Sequence, residues 1–234
     1  MNFYELIFIS ICLTVGICLG GFFSRSYGFP GFIGGFLAAF ISLFALLGLA
    51  NLISGIAHSR KIKKQVQKMG VFVALGSNLG DSQKIILDAV RRFQKYSHSS
   101  ILKSSLWQTS PVDCPPDSPK FVNAVVGFVP RKSETPESLL EKLRELEKEF
   151  GRAPKTILNE PRPLDLDLIA FGNEIRNSPE LILPHPRAHL RRFVLQPLSE
   201  IEPDLVLPGQ TKSVLDILCD LPEAEAVVWL SSPI

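Results

Sequence analysis

Residues 160–171, EPRPLDLDLIAF, read as a β-strand: Leu164, Leu166, Leu168 and Ala170 alternate with Asp165, Asp167 and Ile169, and successive strand side chains point to opposite faces. The leucine face belongs against a core. The other face sets Asp165 and Asp167 side by side next to Arg162, with no Lys or Arg between them. A bare pair of this kind also fits a solvated strand face, because short motifs match by chance. With something cationic on it, Mg²⁺ suits, since it is usually held by one or two carboxylates while keeping waters and phosphate oxygens as its other ligands.

Working outward, the chain on the N-terminal side of this strand alternates between strand and helix patterns. Val71–Leu75 is a short strand that runs into the turn-rich GSNLGD, residues 76–81, and then into a helix with Ile85, Ile86, Ala89, Val90 and Phe93 on one stripe, capped by Asn78 or Asp81. Residues 101–108 form a second strand. Thr109–Lys120, with four prolines, is an irregular loop of the length that compact domains usually keep for function. Residues 121–129 form a third strand, and residues 133–150 a helix with Leu139, Leu140, Leu143, Leu146 and Phe150 as its buried stripe, capped by Ser133 or Thr135. A second irregular stretch, 151–163, leads into the acidic strand. The order strand, helix, strand, strand, helix, strand predicts an α+β, ferredoxin-like βαββαβ sandwich. Beyond it come a turn at Gly172–Asn173, a short helix near 213–219 and an apolar run, 226–230, that adds a strand or merely packs.

The N-terminal segment has a different character. Residues 6–24 and 27–57 carry no charge, each long enough to cross a hydrocarbon core as a helix, and SRSYGFPG between them reads as a tight turn. The expectation is a transmembrane helical hairpin over residues 1–58, with spans at about 5–24 and 31–57, a basic linker over 59–69 and a compact domain over 70–234. The run HSRKIKKQVQK places that linker on the cytoplasmic side by the positive-inside rule, and the domain, anchored to an inner membrane, in the cytosol. Met69 stands just before the first strand, and a chain starting there would simply be cytoplasmic.

Charge follows the same division. Residues 1–68 hold six basic side chains and one acid, so the net +2 of the whole leaves residues 69–234 at −3. An acidic domain without an aromatic, RNP-like strand speaks against nucleic acid as a partner, although the sandwich is shared with RNA-recognition domains. Cys12, Cys18, Cys114 and Cys219 lack metal-ligand spacing and imply no disulfide framework.

Basic side chains gather around the acidic strand: Arg152 and Lys155 before it, Arg162 at its start, then His185, Arg187, Arg191 and Arg192. Carboxylates that can hold Mg²⁺, with convergent Arg and His, are what phosphoryl transfer needs, where the protein mostly positions and neutralises charge. No Walker A motif is present, so a nucleotide is held another way. Asn123, an amide between Val122 and Ala124 on a strand, offers both a donor and an acceptor, and Phe121 on the same face can stack on a flat heterocycle. Alone, each would be read as structural, and His58, His98 and His189 keep that reading.

LGSNLGD, TSPV, FVNA, the PRPLDLD core, LPHPR and the stretch from Arg191 to Pro203 occur in the order and spacing of one family, and together this chain resembles the 6-hydroxymethyl-7,8-dihydropterin pyrophosphokinases of folate biosynthesis over about residues 70–210. The resemblance implies transfer of the β,γ-diphosphate of ATP to the pterin hydroxymethyl group, with AMP released. It implies that Asp165 and Asp167 bind two Mg²⁺ ions, and that Arg152, Arg162, His185 and Arg191 contact ATP phosphates or close the site, with Lys155 near the nucleotide. It places Thr109 and Val112 at the pterin edge, Asn123 on the pterin ring, and Phe121 and Phe193 as the pair that sandwiches it. Small-molecule substrates and, through the pathway, neighbouring folate enzymes are the partners it suggests. Four residues depart from the pattern: Asn159 stands where Trp is frequent, Glu160 where Gly is usual, and Pro154 and Pro163 where Arg and Thr are common. A catalytically weakened, membrane-anchored pterin- and nucleotide-binding relative is the alternative that these changes raise.

Overall fold

Val71–Ser77 (β1) is an interior strand of the sheet, with six of its seven residues buried, an apolar run that a strand covered on both faces can carry. The computed structural model describes residues 43–57, 66, 70–111, 114–153, 160–222 and 226–232. After β1 the elements are α1 (Ser82–Phe93), β2 (Leu102–Lys103), β3 (Leu106–Thr109), β4 (Phe121–Phe128), α2 (Pro136–Glu149) and β5 (Asp165–Phe171). A small pair, β6 (Arg176–Asn177) and β7 (Ile182–Leu183), a 3₁₀ turn at Ala188–Leu190, α3 (Arg192–Ile201), α4 (Val214–Asp220) and β8 (Val227–Ser231) complete the chain. The main sheet is antiparallel in the order β5-β1-β4-β3-β8, with β2 also on β4. The run 226–230 is therefore a strand, and its partner β3 lies more than a hundred residues earlier.

Helix starts follow local chemistry. Asp81 caps α1, its carboxylate accepting from the Lys84 N–H at 3.2 Å. Thr135 and Ser138 close a reciprocal capping box at the start of α2, with Pro136 in the first turn, where its missing N–H costs nothing.

Two cores lie on the two faces of the sheet. Val71, Val73, Leu75, Val122, Ala124, Leu166 and Leu168 meet the buried stripes of α1 and α2. On the other face Phe72, Ala74, Val125, Ile169 and Ala170 meet Val194, Leu195 and Leu198 of α3 and Val214 and Leu218 of α4. The strict alternation expected along the acidic strand is broken. Phe72 pairs with Ala170 and Val73 with Leu168, so Ile169 is an extra residue in β5. Such a bulge puts two consecutive side chains on one side, and Ile169 and Ala170 both enter the second core.

The chain divides into two units, Met1–Lys61 and Ile62–Ile234. In the first, residues 43–57 are helical and the rest lies outside the described residues. The expected architecture, a ferredoxin-like βαββαβ sandwich preceded by a two-helix transmembrane hairpin, is corrected here. No helix among the described residues is long and apolar enough to cross a membrane. The first expected span, its turn and most of the basic linker fall outside the described residues. The membrane as a partner is withdrawn with the hairpin.

Candidate active site

The register of the sheet builds the site. Gly76 in β1 lies opposite Asp165 in β5 and Asn123 in β4, while Ala74 lies opposite Asp167. Cross-strand partners share a face, so both carboxylates and Asn123 project from the face that α3 covers only at its far end. Gly76 is the floor between them. A Cβ there would stand 3.4 Å from Asn123 Oδ1 and 3.8 Å from the Phe121 ring, in the space a ligand would use.

The two carboxylates differ in surroundings. Asp165 is clamped by two guanidinium groups: Arg162 Nη2 donates to Oδ2 at 2.6 Å and Arg152 Nη1 to Oδ1 at 2.7 Å. Burial acts to raise its pKa, but Arg162 and Arg152 together hold it below the ordinary carboxylate value. Asp167 has only looser neighbours, His185 Nε2 at 4.0 Å and Arg191 Nη1 at 3.8 Å. Burial, followed by the adjacent Asp165 charge, pushes its carboxyl above the ordinary value. His185 Nδ1 accepts the Arg187 N–H at 3.2 Å, so Nε2 is the nitrogen turned toward Asp167. Burial lowers the pKa of both His185 and Arg191, so the imidazole prefers its neutral form.

The pterin-side residues of the sequence reading gather on the same cleft. Asn123 Nδ2 donates to Thr109 Oγ1 at 2.8 Å, which fixes the amide plane. The Arg162 guanidinium lies 5.4 Å over the Phe121 ring and the Arg191 guanidinium 5.3 Å over Phe193, so each cation also stacks on an aromatic wall. Thr109, Phe121, Asn123, Arg162, Arg191 and Phe193 line one cleft with both acids. Arg152 and His185 reach it through Asp165 and Asp167. Lys155 and Val112, together with Pro154 and Asn159, lie outside the described residues.

Three side chains went unread in the sequence. Ser110 and Cys114, in the proline-rich loop, line the cleft. Glu147 is buried beneath it, accepting from the Leu166 N–H at 2.7 Å and paired with Arg152. Its position, four residues after Leu143 on the apolar stripe of α2, was the available signal. Arg192 serves the fold, donating to the Leu221 carbonyl at 2.7 Å beyond the end of α4.

Burial pushes the Glu147 carboxyl from an ordinary 4.5 up to about 7, against the pull of the Leu166 N–H and Arg152. A carboxyl raised by folding supports the fold fully below its unfolded value, and that support is lost as pH rises through the folded value. Glu147→Gln keeps an oxygen for both donors and has no charge to bury. Between about pH 5 and pH 8 it should lose roughly 2 kcal/mol less stability than wild type. Denaturant unfolding at the two pH values checks this, and equal losses in the two proteins would refute it.

Among the described residues no cluster of three or more His, Cys, Asp or Glu could hold a metal by itself. The donor set instead suits an ion that takes two carboxylates and completes its shell elsewhere. Asp167 has no guanidinium of the described residues within hydrogen-bond distance, which leaves its oxygens open to such an ion.

Side-by-side acids, guanidinium groups and two flat aromatic walls share this cleft, a combination whose chemistry suits a polyphosphate and a planar ring. The comparisons agree, and the chain belongs to the 7,8-dihydro-6-hydroxymethylpterin-pyrophosphokinase family, whose match covers residues 72–203. It is 38% identical over 138 residues to the 2-amino-4-hydroxy-6-hydroxymethyldihydropteridine pyrophosphokinase of Haemophilus influenzae, covering 59% of this chain and 84% of that protein. With the enzyme of the same name from Pseudomonas aeruginosa it shares 37% over 139 residues, 59% of this chain and 83% of the relative. The folic acid synthesis protein fol1 of Pneumocystis carinii is 41% identical over 148 residues, 63% of this chain. This chain spans only 20% of that fungal protein, and 26% of a folate synthesis bifunctional protein of Arabidopsis thaliana. A crystal structure of wild-type Plasmodium falciparum HPPK-DHPS with pteroate aligns with a TM-score of 0.50 at 12% identity, over 64% of this chain and 42% of that one, a likeness of fold.

Proposed function

We propose that residues 70–232 transfer the pyrophosphoryl group of ATP to the hydroxymethyl group of 6-hydroxymethyl-7,8-dihydropterin, giving the pterin diphosphate and AMP. The observation that carries this reading is the single cleft in which clamped and unclamped carboxylates, Arg and the Asn123–Thr109 pair converge. The pterin stacks between Phe121 and Phe193, with its polar edge on Asn123 and Thr109. Arg152, Arg162, His185 and Arg191 meet the ATP phosphates, with Lys155 toward the nucleotide and Val112 toward the pterin by the family resemblance. The bond between the β-phosphorus and the oxygen bridging to the α-phosphate breaks as the hydroxymethyl oxygen bonds to the β-phosphorus. The bridging oxygen departs on AMP, and the hydroxyl proton passes to solvent. Holding that alcohol in line accounts for much of the rate, since well-oriented reactants recover roughly 7–11 kcal/mol of barrier.

Asp165 and Asp167 would hold Mg²⁺, two ions in our reading, and the metal when bound would neutralise charge on the phosphate oxygens. Relatives named as bifunctional folate-synthesis proteins make neighbouring folate-pathway enzymes the partner class to seek.

Purified full-length protein, incubated with ATP and Mg²⁺, should release AMP only when the pterin is present, and chelation should abolish the release. Pterin-independent AMP, or none from a folded protein that binds both substrates, would overturn the reading.

A further inference from the structure

We propose that Asn78 is a positioning residue that holds the pterin-side loop and the phosphate-side Arg162 in one arrangement, a role that rests on the reaction proposed above. Two stretches outside the strands flank the cleft, residues 114–120 and 160–163, and among the described residues no strand ladder joins them. Asn78, just past the end of β1 and only 3% exposed, reaches both. Its backbone N–H donates to the Arg162 carbonyl at 3.2 Å and its Oδ1 accepts the Arg162 N–H at 2.8 Å. Its Nδ2 donates to the Pro119 carbonyl at 3.3 Å. Pro119 stands two residues before Phe121, whose ring lies under the Arg162 guanidinium. The contacts therefore close a circuit, from Asn78 to Pro119, along the chain to Phe121, across to Arg162 and back to Asn78.

An amide is the one small side chain that can accept on one arm and donate on the other. Helix capping does not explain it, because Asp81 caps α1. The circuit ties the aromatic wall of the pterin subsite to the cation clamped on Asp165, so the two substrates meet a cleft of fixed width.

Asn78→Asp, assayed at about pH 8, keeps the shape and the acceptor for the Arg162 N–H but loses the donor to Pro119. Its KM for pterin should rise about tenfold, the worth of one hydrogen bond in a positioned loop, while its KM for ATP stays within about twofold. Amide exchange should quicken over 114–121 and stay unchanged over 160–163. Asn78→Ser, too short to reach either partner, should raise both KM values and quicken exchange in both segments, and it decides the matter if the aspartate variant does not fold. Wild-type KM values and exchange in both variants would overturn the proposal. So would an Asp variant whose two KM values rise together with a fall in melting temperature, the mark of general loosening. A wild type without pterin-dependent AMP release would sink the reaction itself, whereas the exchange pattern still tests the bridge.

Discussion

Pterin-dependent AMP release by the Asp167→Asn variant should fall about a thousandfold or more below wild type, the scale seen when charge stabilisation is removed from a transition state. Asp167 is the less committed acid. Its neighbours His185 and Arg191 stand at 4.0 and 3.8 Å, too far for direct hydrogen bonds, and its carboxyl is raised first by burial and then by Asp165. Asparagine matches its shape and cannot supply the second negative charge. The same change should leave the fold as stable as wild type or more so above neutral pH, because a carboxyl raised by folding destabilises the folded state once it ionises. Loss of activity with an unchanged or higher melting temperature is thus the expected pair of results. A folded variant retaining a tenth of wild-type turnover would remove Asp167 from the reaction. Asp165→Asn is a poorer test, because it also removes an ion pair from each of two partly buried guanidinium groups.

The second large effect is expected from Arg162→Lys, a change that keeps the charge. Arg162 uses separate arms of one planar group: Nη2 to Asp165 at 2.6 Å, Nη1 to the Glu160 carbonyl at 3.2 Å, and its flat face over Phe121. An ammonium gathers its three donors on one atom and has no flat face, so it cannot reproduce these spaced contacts together. We expect kcat/KM to drop about a hundredfold, with both substrates affected, since two charge-assisted contacts are each worth roughly 1.5–3 kcal/mol. Arg162 is also the foremost partner holding the Asp165 carboxyl down. A depressed carboxyl contributes stability above its unfolded value and loses it as pH falls through the folded one. Acid unfolding of the variant should therefore begin at higher pH than in wild type. Near-normal kinetics, or an unmoved acid transition, would show that charge alone suffices at this position.

How much of this was legible beforehand depends on the range of each signal. The side-by-side carboxylates follow from strand periodicity, and the cluster of cations from short separations along the chain. The link from Asn123 to Thr109 spans fourteen residues, and pairing of their strands suffices to bring them together. Asn78 reads, beside Asp81, as one of two candidate helix caps because its partners Arg162 and Pro119 lie 84 and 41 residues away, where local pattern carries no information. Glu147 was overlooked because a carboxylate on an apolar stripe looks like a solvated neighbour until its buried partners are seen. The bulge at Ile169 leaves no trace in composition, since an isoleucine suits either face of a strand. The apolar N-terminal run invites a hairpin on length, absence of charge, a turn and a basic flank, all of which measure what a segment could do in lipid.

The bulge divides β5 into two stretches with opposite obligations. Ahead of it, alternate residues answer to substrates; past it, they answer to α3. Removing Ile169 itself would restore plain alternation and leave Ala170 and Phe171 facing the cores they already fill, because the register on either side of the bulge is set by β1. What would be lost is the isoleucine side chain from the second core. The extra residue thus adds packing under α3 without moving the acids ahead of it, and the two stretches can change independently by substitution.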